Sequence, residues 1–134
     1  MVKHFQITII SSEKPRDNEL NKELQWFSRT LGLFNERDKE SSCFRIFVEL
    51  VKTAKGGSGL KSDEIAQLAH LTRGTVVHHL NKLIGAGIVA SAEEKYILRS
   101  PNLKMVIKQV KKDILKTLDN AEIIAEELDV ELGL

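Results

Sequence analysis

Apolar residues recur along the chain at helical spacing in five stretches, with a partial alternation near its start. Near the start, Phe5, Ile7 and Ile9 alternate with His4, Gln6 and Thr8, which predicts a short strand seeking a partner in another element or in a second subunit. After the polar break SSEKPRDN, Leu20, Leu24, Phe27 and Leu31 follow one another at steps of four, three and four, so a helix from Asp17 to Gly32 is expected. Trp26 lies off that stripe, where it would cover a neighbouring element or a second subunit. Asp38 can cap the next helix, which lines up Cys43, Phe44, Phe47, Leu50 and Val51 and stops at Gly56–Gly57. Beside two phenylalanines, Cys43 reads as a small core hydrophobe and not as a reactive thiol.

The stretch SDEIAQLAHLTRGTVVHHLNKLIGAGIV, residues 62–89, contains two helical patterns with about three residues between them. Ile65, Leu68 and Ala69 mark the first; Val76, Leu80, Leu83 and Ile84 mark the second. Ser62 and Thr72 are placed to cap them, and Gly85 with Gly87 ends the second. A short helix, a tight turn and a longer helix are the parts of a helix-turn-helix, whose second helix enters the DNA major groove. Opposite its apolar stripe that second helix carries Gly74, Thr75, His78, Asn81 and Lys82, with Arg73 at its start. No acid occurs from Leu71 to Ser91. Hydroxyl, imidazole, carboxamide and ammonium groups suit base edges and phosphates, and a carboxylate would repel the polyanion. Of the two histidines, His78 faces outward and His79 lies on the flank with Val77.

Residues 89–99 read as two short strands joined by a turn through Ala92–Lys95, a hairpin in the position of a wing. Lys95 and Arg99 are placed to touch phosphate, while Glu93 and Glu94 at the tip argue against insertion into the minor groove. From Pro101 onward, Leu103, Ile107, Val110, Ile114, Leu118, Ala121, Ala125, Leu128 and Leu132 hold a helical period, with faces recurring every 11 residues. Thirty residues make a helix of about 45 Å, longer than so small a body covers, so the stripe is expected to pair with the same helix of a second copy.

Composition narrows the picture. With 134 residues, 42% hydrophobic and 29% charged, the chain can bury one core with one or two added elements. A division into an N-terminal arm (1–35), a winged helix-turn-helix (36–100) and a C-terminal dimerisation helix (101–134) follows. One cysteine excludes an internal disulfide, and neither a signal peptide nor an apolar run long enough for a bilayer is apparent, so a cytoplasmic protein without membrane contact is expected. The net charge of +1 hides a basic body and an acidic end: residues 1–112 carry 19 lysines and arginines against 12 acids, residues 113–134 one lysine against seven acids. The GGSG segment lacks the lysine of a phosphate loop, and no nucleophile elbow, paired zinc histidines or carboxylate pair suggests an enzyme or a cofactor.

TRGTVVHHLNKLIGAGIV followed by KYILR resembles the ArsR-like winged helix-turn-helix regulators of bacteria and archaea, small archaeal members most of all. Over residues 17–132 the order of elements is similar too. The resemblance implies a mainly α fold with a small β-hairpin and a dimer on a pseudo-palindromic operator in double-stranded DNA. Metal-sensing members carry a cysteine pair in the first helix of the motif or Asp/His ligands on the last helix; here that first helix reads SDEIAQLAH and the last has no histidine, so no metal is expected. The leading expectation is a homodimeric regulator, probed at Thr72, Arg73, Lys82, Lys95 and Arg99 for phosphate and at Gly74, Thr75, His78 and Asn81 for bases. The alternatives are a winged-helix protein-interaction module, favoured by the acidic end, and RNA binding, for which exposed stacking aromatics are scarce.

Overall fold

The core forms where α2 (Ser42–Thr53) and α4 (Arg73–Gly85) face each other, in a computed structural model that describes residues 4–35 and 37–134. Ile46, Phe47 and Leu50 of α2 meet Val76, Leu80 and Leu83 of α4 in a single apolar cluster, all of them fully or almost fully buried. Asp38 starts α2 as expected: its two carboxylate oxygens accept the backbone N–H groups of Ser42 and Cys43, both at 2.9 Å. Ile46, not singled out by the sequence pattern, is completely buried, whereas Phe44 is only half-buried and stacks on Phe34 with centroids 4.8 Å apart.

α1 (Leu20–Thr30) begins three residues later than expected, after Glu19, and Leu31 and Leu33 beyond its end join the core. Phe27 stacks on Phe47 at 6.1 Å. The expected strand at the N-terminus is not formed, and residues 1–3 lie outside the described residues. Residues 5–15 carry no regular structure; Gln6 donates its N–H to the Gly85 carbonyl and Ile10 to that of Thr30, each at 2.9 Å. These single bonds hold an arm against the body without making a ladder. Phe5 and Ile7 are half-buried against the core, so the alternation records the two sides of this arm.

α3 (Ser62–Ala69) precedes α4. Its N-cap is Lys61, not Ser62: the Glu64 carboxylate accepts the Lys61 N–H at 2.9 Å. Ile65 and Ala69 are buried, while Leu68 stands half exposed, outside the stripe assigned to it. The Arg45 guanidinium of α2 donates to the Ala69 carbonyl and so satisfies the end of α3.

The hairpin is β2 (Val89–Ala92) and β3 (Lys95–Leu98), with Val89 opposite Leu98 and Ser91 opposite Tyr96. Glu93 and Glu94 both have positive φ (53° and 65°), the conformation a tight two-residue hairpin loop needs and one that side chains with a Cβ resist. A third strand, β1 (Leu60–Lys61), pairs with the other edge of β3, giving an antiparallel sheet in the order β1-β3-β2. No strand is expected here from the sequence. Gly59 makes the pairing possible: at φ +75°, a Cβ there would lie 2.9 Å from the Tyr96 carbonyl oxygen.

α5 (Leu103–Leu132) is capped by the Asn102 side chain, which accepts the Met105 N–H at 2.9 Å. Here the expectation needs correction. Val106 and Val110 are buried in the protomer's own core, and Leu103, Ile107 and Ile114 pack against it. The first half of the supposed dimer seam therefore covers its own domain. From Leu115 to Leu134 every residue is exposed, including Leu118, Ala121, Ala125 and Leu128. One apolar cluster thus draws on all three segments into which the sequence divides the chain.

Candidate nucleic-acid interface

Thr72 sets the start of α4. Its Oγ1 accepts the Thr75 N–H at 3.2 Å and its hydroxyl donates to Thr75 Oγ1 at 2.9 Å, which fixes both threonines before any partner arrives. One turn further on, the helix sorts its side chains as the stripe predicts. Val76, His79, Leu80 and Leu83 are buried; Arg73, Gly74, His78, Asn81 and Lys82 are exposed; Thr75 is half-buried. A Cβ at Gly74 would meet nothing within 4 Å, so the start of the helix is open above the backbone.

Arg73 is held by an ion pair the sequence did not suggest. Its Nε lies 3.3 Å from Asp63 Oδ1 and 3.4 Å from Ser62 Oγ, linking α4 to the first turn of α3. Both side chains are more than two-thirds exposed, so the pair is weak and exchangeable.

His79 and His78 separate cleanly. His79 is 8% exposed and its Nδ1 has no hydrogen-bond partner, while His78 stands in solvent with its ring edge-on to His79. Burial pushes the His79 imidazole below its ordinary value; nearby Asp38 pulls it up, and His78 and Lys82 push it down. Asp38 itself is raised by partial burial, but the N–H donors of Cys43 and Ser42 and the charge interaction with His79 outweigh this and hold its carboxyl below the usual range. The Cys43 thiol is pushed up to about 11, by burial first and then by Asp38, in keeping with a packing residue. An open cleft of about 680 Å³ runs beside α4, with Asp38, Ser42, Cys43, Thr75, His78 and Lys82 on its walls. Among the described residues, no group of three His, Cys, Asp or Glu side chains is arranged to hold a metal ion, and no helix is long and apolar enough to cross a membrane.

On the wing, Lys95 is exposed at the start of β3. Arg99 departs from its expected place. Its Nη1 lies 2.5 Å from Asp113 Oδ2 of α5 and 3.4 Å from the Gly87 carbonyl, and its side chain is only 23% exposed. That guanidinium joins the wing to α5 and is not presented to solvent beside Lys95. Conversely, Lys61 was missed. It is exposed and directly opposite Lys95 in the β1–β3 ladder, a position recognisable only once β1 is known to be a strand.

Residues 50–91 match the family model described as bacterial regulatory protein, arsR family. The match opens within α2 and closes within β2, so it contains the whole of α3, the turn and α4 but less than half of the chain. Comparisons with curated proteins and with solved structures give no match. The matched segment coincides with the helix-turn-helix and its sorted second helix, and the fold around it is a winged one. The segment that holds α3, the turn and α4 is therefore similar to the helix-turn-helix of the bacterial arsR-family regulatory proteins.

Proposed function

We propose that the protein is a homodimeric, sequence-specific DNA-binding regulator that inserts α4 in the major groove and represses transcription by occupying its operator. The observation that carries this reading is the outward, acid-free face of α4. Thr75, His78 and Asn81 read base edges, with the open backbone at Gly74 allowing close approach; Thr72, Arg73, Lys82 and Lys95 position the duplex through phosphates. Arg99, turned inward to Asp113, is left out of this set.

The second copy sits on the outer half of α5. Leu118 is 58% exposed and Ile124 53%, and with Leu115, Ala121, Ala125 and Leu128 they form an apolar surface with no cover in the protomer.

Mobility shifts over a salt series test the DNA reading. Arg73→Ala and Lys82→Ala weaken binding to every sequence and flatten its salt dependence; His78→Ala and Asn81→Ala cost about 1–3 kcal/mol each and blur sequence preference. If all four bind like the parent, α4 is not the contact. The exposed acidic half of α5 also favours a second reading, a winged-helix module that docks on another protein. Sedimentation separates the two: a monomer indifferent to DNA supports the module.

A further inference from the structure

Lys61 and Lys95 face each other across the β1–β3 ladder. Directly opposed residues of an antiparallel pair project to the same face with Cβ atoms about 4.5–5.5 Å apart, and like charges in that position destabilise the sheet. Both lysines are exposed, and neither forms an ion pair with any of the described residues. Of the nearby acids, Asp63 is paired with Arg73, the Glu64 carboxylate accepts the Lys61 backbone N–H, and Glu93 and Glu94 form the hairpin loop beyond Lys95; none of them reaches either ammonium group as an ion pair.

The opposition is built in. Gly59 lets the chain come so near β3 that a Cβ there would stand 2.9 Å from the Tyr96 oxygen and 3.4 Å from Lys95 Cβ. Leu60, opposite Tyr96, is buried, which locks the register and leaves Lys61 and Lys95 on the outer face. Two exposed lysines held opposite each other, with no ion-pair partner among the described residues, can donate together to one anion. Their position says which one. Ser62 follows Lys61 directly, and its Oγ is 3.4 Å from Arg73 Nε, so a row of cations leads from the start of α4 to the wing.

We propose that Lys61 and Lys95 form a phosphate clamp for the DNA backbone flanking the groove that α4 enters. The clamp rests on the DNA-binding reading above and extends it to a residue of β1. A bound phosphate diester removes the repulsion between the two ammonium groups, so part of the affinity comes from relief of a cost carried by the free protein.

The test uses the full chain with Lys61→Gln, Lys95→Gln and the double variant, a duplex of arbitrary sequence, and a salt series. Each substitution should lower the slope of log K against log salt by about 0.9, leave sequence preference unchanged, and not lower the melting temperature of the free protein. Lys95→Arg should keep the parent slope, which separates loss of charge from loss of fold. An unchanged slope in the double variant, while Arg73→Ala and Lys82→Ala still weaken binding, overturns the clamp and leaves the DNA reading standing. If none of these variants alters binding, the DNA reading itself falls and the clamp with it.

Discussion

Arg99 and Asp113 meet at 2.5 Å across the junction of the wing and the long helix, with both side chains about a quarter exposed. The Gly87 carbonyl, just past the end of α4, accepts from the same guanidinium nitrogen at 3.4 Å. Three elements are tied at one point, and the tie lies beside the N-terminal arm, where a Cβ on Gly87 would come within 3.2 Å of Phe5.

Breaking this pair from either side should therefore destabilise the protein. Arg99→Ala or Asp113→Ala is expected to cost about 1–3 kcal/mol, between the values for exposed and buried pairs, and the double variant less than the sum of the two. Urea midpoints of the four proteins in the cycle measure it; additive losses would show that the two side chains do not act together.

Stability should fall in two separate steps as the solution is acidified. The unfolded chain protonates His79 near its ordinary 6.5, whereas the native protein, burying the neutral ring, resists the proton; stability is thus lost as pH falls below about 6.5. Asp38 acts in a lower window: its native carboxyl is held below 3.8, so its contribution is present above 3.8 and disappears as pH falls through the native value. In chemical denaturation at a series of pH values, His79→Gln should remove the upper step and Asp38→Asn the lower one, and because the two groups interact His79→Gln should also make the lower step smaller.

Asp38→Ala should also weaken the start of α2 at neutral pH, because two backbone N–H groups lose their acceptor. A loss of about 0.5–2 kcal/mol is expected. Ser41 cannot replace it, as its side chain makes no cap bond.

Cys43 should react slowly with a disulfide reagent at pH 8 in the folded protein and quickly in urea, since its thiol is buried and titrates at about 11. Rapid labelling of the native protein would mean that the α2–α4 interface opens far more often than its packing implies.

Gly59→Ala is expected to cost about 1–3 kcal/mol, from a positive φ together with a Cβ driven against the Tyr96 carbonyl. The loss should be accompanied by faster amide exchange in β3, whose outer edge depends on β1.

Much of α4 could be read without coordinates. Thr72 is a capping residue followed by an uninterrupted stripe, and these are local properties; spacing turns His78 outward but leaves His79 on the flank, and its burial rests on the packing of α2 against α4. The hairpin was legible for the same reason, despite two glutamates in a loop that favours asparagine and glycine. β1 was not. Two residues carry no period, and their pairing depends on how closely Gly59 approaches a strand more than thirty positions away. Arg99 was misassigned because Asp113, which turns it inward, lies on an element packed by tertiary contact. The apolar period of α5 continues unbroken from 103 to 132, but the body beneath it ends near Ile114, and a period contains no record of where the surface it covers stops.

The outer half of α5 has a thermodynamic consequence of its own. Eighteen helical residues with no tertiary support, 115–132, are held in that form by nucleation from the docked half and by their own backbone bonds, so in a lone protomer the end frays. Association would suppress that fraying, and the ellipticity at 222 nm should then rise with protein concentration. A folding equilibrium confined to one end of one helix would in this way report the degree of assembly.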